Sequence, residues 1–393
     1  MSRAVGEILI VGAGVTGAAL AYHLTRLGHD RITVVDARDR HTLSGSTGLA
    51  PGFIGRLSGS PGLTELAMDS VATYRELPGP VFRPVGSLQI ATSKARLKKA
   101  HKEAERAADL GIEATVIDGE QAVRLAPELV DPAHTLGALH VPGDGAADPV
   151  ALTHALVTAA EQAGAEFLWN TPVRDLEIVG RRVIGVRTGE RNTLRRAKKV
   201  VLAAGIWGPV LAAKAGIRLP MVAVQHPYVF TPDLDTLDDT PIDEPIVLYP
   251  DEHVYTRRHG TRYGLGSYAH RPLPFTPSTV LSAELPFDHA DFGSAIEDAT
   301  RLIPAFRGTP LGRRLNGVYA LTPDELPIAG PATGLPGLWF AEACWVTQAG
   351  GVGKYLAELL LDKREPLASL APERFDSWSA DRVWDTALEN YAG

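Results

Sequence analysis

The chain is poor in sulfur, with one cysteine (Cys344) and three methionines in 393 residues. A single cysteine excludes an internal disulfide and points to a reducing compartment. Positive charge is not in excess either: 39 Lys and Arg stand against 46 Asp and Glu, for a net charge of -7. That removes the basic footprint of a nucleic-acid-binding surface, and the basic stretches at residues 94–102 and 191–199 read as solvated helix and strand faces. No apolar run approaches the length of a membrane span, and the first core strand follows the N-terminus with no cleavable signal, so a cytoplasmic location is expected. Internal repeats and low-complexity tails are also missing. The 45% hydrophobic and 22% charged residues are ordinary for a globular protein with a sizeable core. The length allows two or three domains, or one nucleotide domain interleaved with another.

What is present is concentrated at residues 8–36, ILIVGAGVTGAALAYHLTRLGHDRITVVD. An apolar run enters Gly12-Ala13-Gly14-Val15-Thr16-Gly17, an amphipathic stretch follows, and a second apolar run stops at Asp36 with Ala37 behind it. The order is strand, glycine turn, helix, strand. Gly12 permits the tight turn, Gly14 lets the backbone approach a pyrophosphate, and Gly17 lets the helix pack close to the sheet. The helix N-terminus turns its N–H groups toward the phosphates. Asp36 is expected to accept hydrogen bonds from an adenosine ribose.

The rest of the chain does not repeat that unit. A loop rich in Ser, Gly and Thr (residues 41–60) leads to a helical pattern from Leu63. An alternating strand follows at residues 82–92, a charged amphipathic helix at 95–110, a turn at 142–145 and a helix at 149–163. Short strands are expected at 167–169, 173–178 and 183–188, then a buried strand at 200–203 running through Gly205 into a helix. Further strands fall at 222–230, 246–249, 254–257 and 263–267, a helix at 291–306 and a strand at 338–341. Gly350, Gly351 and Gly353 lead into a last helix through Leu361. The pattern predicts an α/β (α+β) protein in which a Rossmann-like domain (1–80, 142–216, 315–393) is interleaved with a mainly antiparallel substrate domain (81–141, 217–314). A ligand that needs both belongs at their interface.

With these elements in hand, the chain resembles the D-amino-acid-oxidase-like flavoproteins, and within them the sarcosine and dimethylglycine oxidase/dehydrogenase group. The resemblance rests on VGAGVTG (11–17), STGLAPG (46–52), VVLAAGIWG (200–208), RYGLGSYAHRP (262–272), LTPDELPIAG (321–330) and AEACWVTQAGGVGK (341–354). It implies FAD as cofactor, and oxidation of a C–N bond of a small N-methylated amino acid by hydride transfer to the flavin. It implies that Ser46, Thr47, Gly48, Leu49 and Phe53 lie along the flavin and that Val173 meets the adenine. Ala204, Gly205 and Trp207 join the cofactor set, and Cys344, Trp345, Val346, Thr347, Gly350 and Gly351 form a second flavin turn at a helix N-terminus. His226 and Tyr255 match a pair on the substrate side. A protonated amine has no lone pair to donate, and such a pair can take its proton or position the nitrogen. On the residues alone, His226 reads as a structural strand residue, as most histidines are.

Where covalent members of the group attach FAD through histidine, this sequence has Leu49, so non-covalent FAD is expected. Long members carry a C-terminal folate-binding half; with none seen by Gly393, release of formaldehyde or of an imine hydrolysis product is expected. The carboxylate anchor is open among Arg56, Arg257, Arg258 and Arg271. No metal ligands are assigned, and the electron acceptor is O2 or a carrier protein. Other readings remain: glycine, a D-amino acid or a specialised amine as substrate, a non-catalytic flavin-binding subunit, or a folate- and FAD-dependent tRNA methyltransferase.

Overall fold

The computed structural model describes residues 7–238, 240, 242–277 and 282–392. Its first sheet has six strands in the order Ile328–Pro331, Leu338–Glu342, Lys199–Leu202, Ile8–Val11, Ile32–Val35, Glu166–Leu168. All neighbours are parallel except the first two, which are antiparallel. Ile8–Val11 is buried at every position, as a parallel strand covered on both faces must be. Alternation divides its side chains between two cores. Ile8 and Ile10 pack with Leu20, Leu24 and Leu356 of the covering helices. Leu9 and Val11 pack with Val183 and Val186 of a three-stranded meander, Val173–Val179, Arg182–Thr188 and Thr193–Arg196.

The second large sheet runs Pro274–Phe275, Val222–Phe230, Arg262–Ser267, Val254–His259, Ile246–Tyr249, Ser87–Ala91, Gly137–Val141, Thr115–Asp118, with Arg314–Leu321 also paired to Val222–Phe230. It is antiparallel apart from the pair Ile246–Tyr249 and Ser87–Ala91. A small sheet of Phe53–Ile54, Gly145–Ala147 and Phe82–Arg83 bridges the loop after the glycine motif. Strands of the two large sheets alternate along the chain. Because Arg314–Leu321 stays with the antiparallel sheet, the chain returns to the parallel sheet after Leu321 rather than at residue 315. Among the described residues no helix is long and apolar enough to cross a membrane.

The strand expected at 82–92 is split between two sheets as Phe82–Arg83 and Ser87–Ala91, and two helices also differ from the sequence pattern. The helix expected at 291–306 is Gly293–Leu302 followed by a 3-10 turn, Pro304–Phe306, because Pro304 lacks the N–H that would continue an α-helix. The last core helix starts at Val346 and ends at Leu360, so Gly350, Gly351 and Gly353 lie inside it. They serve as contact points. A Cβ on Gly351 would stand 2.2 Å from the Leu66 carbonyl oxygen of helix Pro61–Glu76, and one on Gly353 would stand 2.7 Å from the Ala19 carbonyl carbon of helix Val15–Arg26. Without side chains at these positions, three helix backbones approach closely behind the sheet.

Candidate functional site

A cavity of about 1120 Å³ runs from the glycine turn, along the ends of the parallel strands, to the antiparallel sheet. It exceeds the roughly 300–1,000 Å³ usual for a small-molecule pocket. At one end Gly12 adopts φ +108°, where a Cβ would meet the Ala203 carbonyl oxygen at 2.2 Å. Helix Val15–Arg26 begins at Gly14 with no side-chain cap and no acidic residue in its first turn. Its N-terminal dipole is thus left for an external anion. Asp36 closes the turn: Oδ2 accepts from the Ala13 N–H at 2.8 Å and Oδ1 from the Arg38 N–H at 2.9 Å. Val173, Ala204, Gly205 and Trp207 line the same end, with the Arg38 guanidinium 4.7 Å over the Trp207 ring.

Two segments face each other in the middle. The single turn Ser46–Leu49 is held by Ser46 Oγ donating to the Val318 carbonyl at 2.6 Å, and Thr47 Oγ1 accepts from the Val15 N–H at 3.2 Å. Opposite lies the start of helix Val346–Leu360, again without a side-chain cap or first-turn acid. Thr347 Oγ1 donates to the Phe53 carbonyl at 3.0 Å. Cys344 shows its accessible surface to the cavity, but surrounding protein pushes its thiol up to about 12, so it stays protonated at neutral pH. Two helix N-termini whose N-cap residues give no side-chain bond, joined by one long cleft, fit a dinucleotide: phosphates at the first, an electron-rich ring at the second.

The far end is aromatic. His226 and Tyr255 both line it, with His226 Nε2 2.8 Å from Tyr255 Oη. They meet because Gly266, paired with Tyr255 across the sheet, has no side chain; a Cβ there would fall 2.2 Å from the Tyr255 ring. The phenol lies over that gap and reaches the strand of His226. Tyr268 is 39% exposed, into the cavity, with its ring centroid 4.7 Å from that of His226, and Tyr319 presents its ring at 5.8 Å. Burial, and then the charge of a protonated His270, push the His226 imidazole down to about 3. Burial also raises the Tyr255 phenol well above its ordinary range. Both groups are neutral near pH 7.

Several sequence candidates lie elsewhere. Gly17 and Gly48 do not line the cavity; their missing side chains admit the Gly12 and Leu43 carbonyls. Gly350 and Gly351 do not line it either, and their N–H groups are taken by Tyr74 Oη and Ser70 Oγ at 3.0 and 2.9 Å. None of the four arginines lines the cavity. Arg56 turns to Asp144 and Arg257 to the Ala147 carbonyl. Arg258 pairs with Asp238, and Arg271, 73% exposed, pairs with Asp291. Arg38, Arg174 and Lys214 do line the cavity, as do Arg96 and Lys99 on helix Lys94–Asp109. Arg96 donates to Gln89 Oε1 at 2.6 Å and to Glu103 at 3.0 Å. Their sequence looked like a solvated charged helix, which hid them. Tyr268 and His270 carry a sequence signal, since they follow Gly264 and Gly266 at alternate positions in RYGLGSYAHRP.

Comparison with known proteins agrees with this geometry. The sequence model of the DAO family, described as FAD dependent oxidoreductase, matches residues 7–359. The chain is 28% identical to human mitochondrial dimethylglycine dehydrogenase over 98% of its own length and 46% of that protein. It is 28% identical to human mitochondrial sarcosine dehydrogenase over 91% of its length and 40% of that protein. It therefore spans less than half the length of these curated relatives. Among solved structures, L-proline dehydrogenase from P. horikoshii superposes with a TM-score of 0.82 at 24% identity, covering 95% of this chain and 98% of that one. With the family model covering most of its length and a two-ended dinucleotide cleft at its centre, the chain belongs to the DAO family of FAD-dependent oxidoreductases.

Proposed function

We propose that the protein oxidises the C–N bond of a small secondary or tertiary N-alkyl amino acid, giving an imine that hydrolyses. The observation that carries this is the His226–Tyr255 hydrogen bond at the aromatic end of the cofactor cavity. The two helix N-termini would hold FAD, which would supply the hydride acceptor. The protein's own part is to bind the amine, expel water and remove a proton from nitrogen before the hydride leaves. Neutral Tyr255 and His226 suit that task, because a neutral aromatic wall favours the uncharged amine over the ammonium ion. Names of relatives, dimethylglycine and sarcosine dehydrogenase, support an N-methylated substrate. We assign the carboxylate to the Arg96–Lys99 wall; Glu103 offsets Arg96, so Lys99 supplies the net positive charge.

The test is anaerobic mixing of the FAD-loaded protein with sarcosine, dimethylglycine, longer N-methyl amino acids, glycine and D-amino acids while the oxidised flavin band is followed. Bleaching by N-alkyl amino acids is expected. His226→Ala and Tyr255→Phe should each slow that bleaching by about a hundredfold while FAD stays bound. Rates within a factor of a few of wild type would make the pair structural, and no bleaching by any N-alkyl amino acid would overturn the reading.

A further inference from the structure

His226 does not end at Tyr255. Its other ring nitrogen, Nδ1, lies 3.1 Å from Tyr391 Oη, and Tyr391 Oη lies 2.7 Å from His270 Nε2. His270 Nδ1 in turn is 2.8 Å from the Arg271 carbonyl oxygen. That carbonyl can only accept, which sets the direction of every bond in the line. His270 carries its proton on Nδ1 and, when neutral, accepts at Nε2 from the Tyr391 hydroxyl. The longer contact of Tyr391 Oη to the Gln225 carbonyl, 3.1 Å, competes for that same hydrogen. With its hydrogen committed, the Tyr391 oxygen accepts from His226 Nδ1–H. His226 Nε2 is then a bare acceptor and Tyr255 donates to it, leaving the Tyr255 oxygen lone pairs for a proton coming from the cavity.

We propose that Tyr391 and His270 are positioning residues that extend the His226–Tyr255 pair into a proton relay, carrying the substrate ammonium's proton from the cavity to His270. This rests on the amine-oxidation reading given above. In the transfer the amine N–H bond breaks as a Tyr255 O–H bond forms, and the phenol's own proton passes to His226 Nε2. The His226 Nδ1 proton goes to Tyr391, and the Tyr391 proton goes to His270 Nε2. The four transfers carry a net one proton and no electrons, and His270 ends with both N–H bonds and the positive charge.

The relay resolves a difficulty in the site. His226 is enclosed by the rings of Tyr255, Tyr268, Tyr319 and Tyr391, and an imidazole held down to about 3 is a poor place for a proton to rest. Burial lowers His270 too, but the Arg271 carbonyl and the Asp291 carboxylate both oppose that shift. Other charges act more remotely: Arg257 on Tyr255, and Glu325 on Tyr268 and Tyr319. The Arg271–Asp291 pair beside His270 lies at the molecular surface, with Arg271 73% exposed, so the relay leads outward.

Two measurements test it. In the FAD-loaded protein without substrate, 15N spectra of labelled histidine should show His226 protonated at Nδ1 and bare at Nε2. The opposite tautomer would overturn the relay whatever the substrate proves to be. Tyr391→Phe keeps the ring and removes the link, and His270→Asn removes the terminus. Both should retain FAD. With an amine that bleaches the wild type, both should slow flavin reduction about tenfold or more at pH below the amine's own pKa, less than the roughly hundredfold expected of His226→Ala and Tyr255→Phe. The rates should converge on wild type as pH rises and the free amine predominates. A pH profile unchanged in His270→Asn, or an equal slowing at every pH in Tyr391→Phe, would reject it. If no amine bleaches the flavin, the proposed function fails while the tautomer measurement still decides the hydrogen-bond line.

Discussion

Glu342, at the end of strand Leu338–Glu342, is 1% exposed. Oε1 accepts from the Ala204 N–H at 2.9 Å, while Oε2 has no hydrogen-bond partner. Burial pushes its carboxyl up from 4.5 to about 8, against the pull of the Ala204 and Gly205 N–H groups. The folded chain thus holds this proton more tightly than the unfolded chain. The associated stability is fully present below pH 4.5 and is lost as pH rises through about 8. Glu342→Gln keeps a carbonyl for the Ala204 N–H and cannot ionise. Melting temperatures of the two proteins should agree near pH 5 and diverge by pH 9, with the variant several degrees higher; parallel curves would remove the assignment. Nothing local in AEACW marks this residue. Asp36 stood out in the sequence by its place after an apolar strand, but the contacts it makes did not. Its carboxylate ties down the Ala13 and Arg38 N–H groups, and those partners are defined only once the glycine turn has folded over the strand.

At the scale of elements, helix Val346–Leu360 shows why a glycine cluster is ambiguous. Three glycines in four positions read as an entry turn, because glycine disfavours helix interiors by about 1 kcal/mol relative to alanine. Contact with helices Pro61–Glu76 and Val15–Arg26 outweighs that local preference. Gly351→Ala should therefore destabilise, by about 1–3 kcal/mol, since its methyl would meet backbone rather than a movable side chain. Gly293→Ala is the control. It lies in helix Gly293–Leu302, and a Cβ there meets nothing within 4 Å, so its melting temperature should stay the same or rise slightly. Equal losses in the two would show that helix propensity, not contact, dominates. Strand Arg262–Ser267 teaches the converse. Its glycines read as weak points in a strand, but they make room for the rings of Tyr228 and Tyr255.

At the scale of the molecule, the cavity is lined by residues of two sheets built from alternating chain segments. Leu49 packs there against Tyr228, Tyr255 and Leu315, an apolar side chain with no nucleophilic atom. Acid or heat denaturation should leave all FAD in the supernatant, measured by its fluorescence after the protein is pelleted; flavin retained in the pellet would mean a covalent bond elsewhere. The sequence by itself determined the βαβ unit, the dinucleotide end of the cleft and most strand positions. Those depend on periodicity and on backbone freedom within a few residues, which neighbours in the chain control. Only the tertiary structure decided which polar groups share the far end. It turned Arg56, Arg257, Arg258 and Arg271 to partners outside the cavity, brought Arg96 and Lys99 to its wall, and set Tyr391 against His226 from 165 residues away. A charged side chain's partner is chosen by whatever folding brings within about 3 Å of it, and no local pattern records that.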